Sequence, residues 1–343
     1  MVKLTDLSRY LGLSKTQVSR ALNGYPDVSA ETRRRVEAAA HELGYRPNAL
    51  ARKLRTGRSG IVGLVLSEGS EQEESSILVE ILLGLAVAFR RRDMLVVLNV
   101  MPVDRPLSEA YARLSQEGRL DGFVVLNPGI EAEGIGYLME AGVPFVTHGR
   151  HADEAEYPYV DIDNRDAGRM MGAHLATLGH RDIAVIDGPA GLHFARERTL
   201  GVRLALGEHR IEPRAGRIAH GLLTETFGAM TTRRMMADPA SRPTAIVAGN
   251  FVVAAGVVRA LGDLGLSIPG DVSVVAHDDD LALYPATRFS PALTGSRSPF
   301  PAAYDLLADH LDRAIRGADA ASLRSVMTPT FTDGGSTAAP RGS

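Results

Sequence analysis

Between Leu13 and Asn23 the chain reads Leu-Ser-Lys-Thr-Gln-Val-Ser-Arg-Ala-Leu-Asn, and its apolar residues Val18, Ala21 and Leu22 recur at helical spacing. That leaves Lys15, Thr16, Gln17, Ser19 and Arg20 facing outward. These side chains match the chemistry of a DNA major groove. Lys15 and Arg20 can donate to guanine O6 and N7, Gln17 can address adenine, and Thr16 and Ser19 suit phosphates or a thymine methyl. The same row would also suit the exposed helix of a protein-binding module. Charge distribution sharpens the reading, because residues 1–58 carry 12 Lys or Arg against 5 Asp or Glu, whereas the remainder carries 26 against 36. A head at +7 on a body at −10 is expected to meet a polyanion, a feature hidden by the whole-chain net charge of −3.

The elements that must hold this row are short helices. Leu4, Leu7 and Leu11 share a face, Gly12 interrupts it, and Ser14 caps a second helix, giving helix, tight turn, helix. Asn23-Gly24-Tyr25-Pro26 forms a loop, Ser29 opens a third helix with a stripe of Val36, Ala39, Ala40 and Leu43, and Gly44 ends it. The loose stretch around 56–60 marks a domain boundary. From Ile61 onward, short apolar runs such as 61–66, 95–100, 122–126, 183–186, 245–248 and 272–276 alternate with helical patterns. That alternation predicts buried parallel strands in a doubly wound α/β body, large enough for two lobes, with ligands at the carboxyl ends of the strands. The tail, 333–343, is rich in Gly, Ser, Ala and Pro and is expected to be disordered.

Several classes are excluded by what the chain lacks. With no cysteine, it has no disulfide, thiolate nucleophile or Cys-ligated zinc. The most apolar stretches, 77–89 and 245–258, are broken by Glu80 and Asn250 and fall short of the ~18 residues of a membrane span. The first residues lack a secretory h-region, so a cytoplasmic location is expected. No phosphate-cradling loop, nucleophile elbow or H-E-x-x-H pattern is present, and the chain reads as a non-enzyme with no catalytic residue, no cofactor and no metal. Asp278-Asp279-Asp280 suits capping or ligand binding better than Mg²⁺.

Residues 2–58 closely resemble the DNA-binding head of the lactose-repressor/galactose-repressor regulators, in Thr5-Asp6-Leu7, Gly12-Leu13-Ser14, Val18-Ser19-Arg20-Ala21-Leu22-Asn23, Val28-Ser29, Thr32-Arg33 and Gly44-Tyr45-Arg46-Pro47-Asn48. The resemblance implies a bacterial regulator that binds a pseudo-palindromic double-stranded operator as a homodimer. It adds Thr5, Asn23, Ser29 and Asn48 to the DNA-binding set. It also makes residues 47–55 a hinge helix, with Leu54 as a minor-groove wedge and Arg55 as a phosphate contact. The head with its hinge is thus 1–57 and the body 58–332. More loosely, residues 61–329 resemble the two-lobed fold of periplasmic sugar-binding proteins. Chain crossings are expected near Val160, Ser290 and Arg324, giving a first lobe of about 60–160 and 291–324 and a second of about 161–290 and 325–332.

Carried over residue by residue, Arg198, Asn250 and Asp278 fall on effector positions of that family. A guanidinium, an amide and a carboxylate at strand ends suit sugar hydroxyls or the edge of a base. His148 and Arg150 after the run ending at Thr147, Asp161 and Asp163 near a crossing, and Phe194 as a stacking ring complete the expected set. Phe227, Phe251 and Tyr284 are the other stacking candidates, Leu223 standing where some relatives have an aromatic. Asn23-Gly24-Tyr25-Pro26, His148-Gly149-Arg150 and residues 291–297 are similar to the α-glucoside-sensing branch. This implies a repressor of carbohydrate-utilisation genes with a mono- or disaccharide effector and no membrane partner. The alternatives are a regulator answering to a purine or other non-sugar metabolite, and a sugar-binding protein or enzyme without DNA function. Arg20→Ala should lose about 1–3 kcal/mol of discrimination at one operator base, whereas Arg55→Ala should weaken all sequences alike. Anisotropy titrations of operator variants distinguish the two.

Overall fold

The structure is a computed structural model and describes residues 2–22, 25, 27–45, 58–68, 75–116, 120–126, 128–129 and 132–341. Asn23, Asn48, Leu54 and Arg55, with the whole expected hinge 47–55, lie outside the described residues. The chain divides into two compact units, residues 1–60 and 61–343. No helix among the described residues is long and apolar enough to cross a membrane.

The first unit is α1 (Leu4–Leu11), α2 (Lys15–Leu22) and α3 (Ala30–Glu42). Gly12 ends α1 at φ 65°, the left-handed conformation that costs glycine least, and so allows the tight turn into α2. One small core of Leu7, Val18, Ala21, Val36, Ala39 and Ala40 holds all three helices, with Leu4, Leu11 and Tyr45 packed at its rim.

The second unit carries two parallel sheets. The first takes β1 (Ile61–Ser67), β2 (Leu95–Met101), β3 (Gly122–Leu126), β4 (Phe145–His148), β5 (Tyr159–Ile162) and β11 (Arg324–Met327) in the order β11-β5-β4-β3-β1-β2. The second takes β6 (Ile183–Asp187), β7 (Ile218–His220), β8 (Ala245–Ala248) and β9 (Ser273–Ala276) in the order β7-β6-β8-β9. In both, the first strand lies inside and the order reverses beside it, the topological switch that opens a crevice at the carboxyl ends. Helices α4 (Ser75–Arg90), α5 (Leu107–Gln116), α6 (Ala132–Glu140) and α11 (Phe300–Ile315) accompany the first sheet. Helices α7 (Asn164–Thr177), α8 (His193–Glu208), α9 (Glu225–Met235) and α10 (Phe251–Asp263) accompany the second. A short antiparallel ribbon pairs β10 (Gly295–Arg297) with β12 (Thr330–Thr332).

The structure corrects three expectations. First, the crossings fall later than Val160, Ser290 and Arg324. Strand β5 stays in the first sheet to Ile162, β11 pairs with it through Met327, and Thr294 and Arg297 still bridge to Val275 and Asp278 beside β9. Residues 325–327 therefore belong to the first lobe and 292–297 to the second, because the chain crosses only where ladder hydrogen bonds end. Second, β2 is not buried. It is an edge strand with Leu95, Val97, Leu98 and Val100 exposed, beside an exposed stripe of Val79, Leu83 and Val87 on α4. Third, the tail is ordered through Arg341. Ser336 is fully buried, its backbone oxygen accepts from Val274, its hydroxyl accepts from the Thr294 N–H at 2.8 Å, and the Ala338 oxygen accepts from Ser273. A polar tail orders here because unpaired sheet-edge groups of the second lobe supply its partners. Ser336→Ala leaves the Thr294 N–H without its acceptor and should lower unfolding free energy by about 1–3 kcal/mol, measured by urea denaturation.

Candidate functional site

On the head, α2 presents the expected row. Lys15, Thr16 and Gln17 are exposed, Ser19 and Arg20 half-exposed, and Val18 faces inward. Gln17 and Arg20 are among the members already engaged. The Ser14 hydroxyl oxygen accepts from the Gln17 N–H at 3.1 Å, while Gln17 Oε1 accepts from both the Ser14 N–H and its hydroxyl at 3.0 Å. This reciprocal cap holds the carboxamide oxygen, so a two-point contact from Gln17 to adenine requires the cap to open. Arg20 pairs with Asp27 at 2.6 Å and lies 4.7 Å above the Tyr25 ring. An exposed pair of this kind is weak and leaves the guanidinium available to a stronger acceptor. Thr5 is half-buried on α1, and Ser29 caps α3 by accepting from the Thr32 N–H.

In the second unit, a cavity of about 520 Å³ lies between residues of the two sheets, at strand ends. One of its buried polar groups is Arg198, 4% exposed. The guanidinium donates to Asn164 Oδ1 at 2.6 Å, to Asp187 Oδ1 at 3.3 Å and to the Gly249 carbonyl. Its Nε is buried with no partner in the protein. Phe194 packs with its ring 5.4 Å from the Arg198 guanidinium carbon. Asn250 caps α10 through Oδ1 and donates from Nδ2 to Asp279 Oδ2 at 3.3 Å. Burial pushes the Asp279 carboxyl up to about 6, against the opposing pull of Arg198. His148 borders the same cavity, its ring centroid 4.0 Å from that of Phe300. Its Nε2 is buried and unpartnered, and burial drives its pKa down to about 4, so the imidazole is neutral at physiological pH.

Of the expected set, His148, Arg150, Asp161, Phe194, Arg198 and Asn250 all border this cavity. Arg150 and Asp161 are joined at 2.7 Å, with burial raising the Asp161 carboxyl although Arg150 opposes it. Asp163 caps α7 and borders a neighbouring cavity of about 380 Å³ instead. Asp278 is a correction: it turns to Arg297 at 3.1 Å and to the Asp280 N–H, and its neighbour Asp279 faces the cavity. Backbone beyond β9 remains extended, so successive side chains alternate; His277 and Asp279 share one side at 3.4 Å, and Asp278 takes the other. Among the other stacking candidates, Phe251 packs on Phe289 in the core and the Tyr284 hydroxyl donates to Glu225. Sequence reasoning missed Asn164, Asp187 and Phe300. Asp187, last residue of an apolar strand, was open to the strand-end rule; the other two become neighbours only through the chain crossings.

Comparison with known proteins agrees with this division of the chain. The family model described as "Bacterial regulatory proteins, lacI family" matches residues 3–48, and "Periplasmic binding protein-like domain" matches residues 173–337. The chain is 38% identical over 312 residues to the HTH-type transcriptional regulator AglR of Rhizobium meliloti (strain 1021), covering 90% of this chain and 87% of that one. Among solved structures, a complex of the transcriptional regulator CelR with cellobiose superposes with a TM-score of 0.70 at 28% identity, covering 98% of this chain and 100% of that chain. A lac repressor dimer bound to operator and the anti-inducer ONPF gives 0.77 at 26% identity, covering 98% and 99%. These relatives are transcriptional regulators, not enzymes.

The raised Asp279 carboxyl has a stability signature. Below its unfolded value of 3.8 both states are protonated; above about 6 both are ionised, and the folded state then carries the burial penalty. Wild-type stability should therefore fall relative to Asp279→Asn as pH rises from about 4 to 6, by up to about 3 kcal/mol, and stay level above that. Denaturation of both proteins across that range measures it, and a pH-independent difference would refute the assignment.

Proposed function

Because the chain belongs to the LacI family of bacterial regulatory proteins and is a DNA-binding regulator of transcription, we propose that it represses carbohydrate-utilisation genes in the cytoplasm and that a sugar such as an α-glucoside controls its operator affinity. The observation carrying this reading is the pair of buried, unpartnered atoms, Arg198 Nε and His148 Nε2, on residues that border one cavity. Buried polar groups are ordinarily satisfied, and a ligand rich in hydroxyls both accepts and donates. Asn164, Asn250 and Asp279 add further donors and acceptors, while Phe194, Leu222, Leu223 and Leu281 supply apolar surface for the faces of sugar rings. Charge favours a neutral effector over a sugar phosphate. Arg198 and Arg150 already face Asp187 and Asp161, and Asp279 would repel an anion.

In this reading, Lys15, Gln17 and Arg20 read base edges, Thr16 and Ser19 take phosphates or a thymine methyl, Thr5, Asn23, Ser29, Asn48 and Arg55 place the head on the duplex, and Leu54 enters the minor groove. The protein acts as a homodimer, consistent with the lac repressor dimer it superposes on. The exposed apolar residues of β2 and α4 suit a second copy, since an uncovered apolar edge strand is an association hazard in a monomer.

A thermal-shift screen of mono- and disaccharides, sugar phosphates and purines tests the effector, a ligand at 100 times its Kd adding ~2.7 kcal/mol. A neutral sugar should stabilise the protein; stabilisation by a purine or sugar phosphate alone would overturn the sugar reading. Phe194→Ala and Arg198→Ala should lose effector affinity at least about tenfold while binding operator normally, and Leu54→Ala should do the reverse. Circular dichroism checks that Arg198→Ala, which uncovers Asp187, remains folded. Light scattering should report a dimer, converted to monomer by Leu83→Glu.

A further inference from the structure

We propose that Asp153, His193 and Glu197 form a binding site for a first-row divalent transition-metal ion of the Zn²⁺ kind, at the edge of the cleft where the two lobes meet. One donor atom from each residue lies within 4.8 Å of the others, and all three residues line the cavity of about 380 Å³. His193 and Glu197 stand one turn apart on α8, so their side chains share a helix face. Asp153 comes from the segment between β4 and β5, in the other lobe.

The feature that singles out this cluster from an ordinary surface group of acids is His193. The residue is only 4% exposed, its Nε2 is buried without a hydrogen-bond partner in the protein, and that atom lies 3.4 Å from Asp153 Oδ1. Zn²⁺ bonds of ~2.1 Å in a tetrahedron separate neighbouring ligand atoms by roughly 3.4 Å, so these two donors already stand at a ligand edge. Burial lowers the His193 pKa and keeps the imidazole in the neutral form that a metal requires. One imidazole with two carboxylates favours a transition ion over Mg²⁺ or Ca²⁺, which prefer all-oxygen sites, and leaves a fourth position for water.

The occupant of the site at present is a side chain. Arg165 donates to Glu197 at 2.6 Å and to Asp153 at 3.1 Å, offsetting one of the two negative charges and leaving His193 Nε2 unserved. Its side chain is 45% exposed and can swing into water when a dication takes over the carboxylates. The other nearby cations are engaged elsewhere: Arg150 on Asp161, and Arg196 on the His151 carbonyl oxygen, with its Nη2 3.5 Å from His193 Nδ1. An ion held by all three ligands would tie the β4–β5 segment to α8 across the lobes.

The test uses the full-length protein without effector. ZnCl₂ is titrated by calorimetry, and Co²⁺ binding is followed in the visible spectrum. One ion per chain is expected, with the intense bands of four-coordinate Co²⁺. Asp153→Asn and Glu197→Gln should each weaken binding by roughly tenfold or more, since loss of even an outer-shell partner has effects of that size. Their circular dichroism and melting temperature in EDTA should match wild type. His193→Gln should abolish the Co²⁺ bands. Arg165→Gln, which removes the competitor, should tighten binding, an effect that adventitious binding to other histidines would not show. Absence of binding, wild-type affinity in the two carboxylate variants, or unchanged affinity in Arg165→Gln would each overturn the proposal. The Asp153 and Glu197 variants decide the matter if His193→Gln does not fold.

Discussion

A guanidinium cannot be left alone in a protein interior, and the placement of Arg198 imposes that requirement on four elements at once. Its acceptors come from the start of α7 at Asn164, the end of β6 at Asp187 and the turn after β8 at Gly249, while the arginine itself rises from α8. Removal of any one acceptor exposes a buried charge to the several-kcal/mol penalty of incomplete pairing. The helices meet this requirement by touching backbone to backbone. A Cβ on Gly168 would stand 2.0 Å from the Arg198 carbonyl oxygen, and one on Gly201 would stand 1.9 Å from that of Arg165. Bulk at either position would push α8 off α7 and carry Arg198 away from Asn164. The cavity's geometry follows from this arrangement.

Topology supplies the remaining frame. Both sheets are parallel and wound outward from an inner first strand, so His148, Asp187 and Asn250 emerge at carboxyl ends without any local signal demanding it. Three adjacent chain crossings join the sheets, and residues from both lobes border the same cavity. A ligand gripping both sides can shift a lobe equilibrium only as far as it prefers one arrangement over the other. Arg198, held on the second lobe by three acceptors, and His148, at the end of a first-lobe strand, are placed to express such a preference.

The head follows a different economy. Its core is six small or medium apolar residues, and its function resides in side chains that the fold leaves outside. Even so, the outward row is not idle: Gln17 completes the cap of its own helix, and Arg20 is held by Asp27. Contacts of this strength order the side chains yet yield to phosphate or base edges, whose charge-assisted hydrogen bonds are stronger than exposed ion pairs.

The linear sequence by itself determined whatever rests on local periodicity and charge. The three head helices, the inward Val18 beside the outward Lys15, Thr16, Gln17, Ser19 and Arg20, and the alternation of strand and helix from Ile61 were legible because each depends on neighbours within a few residues, whereas Arg198 and Asn250 were singled out by the family resemblance. Tertiary structure alone decided the rest. Asp279 rather than Asp278 faces the cavity because a bridge to Arg297 keeps the chain extended past β9, and a shift of one residue in extended backbone reverses the side. The apolar run of β2 reads like an interior strand, but its place at the end of the sheet order leaves it exposed. The polar tail reads as disordered, but the edge of the second lobe offers partners that no composition reveals. Asn164 joins Arg198, and Asp153 joins His193, only because chain crossings and glycine-mediated helix contact bring distant segments together, and sequence spacing carries no record of that distance.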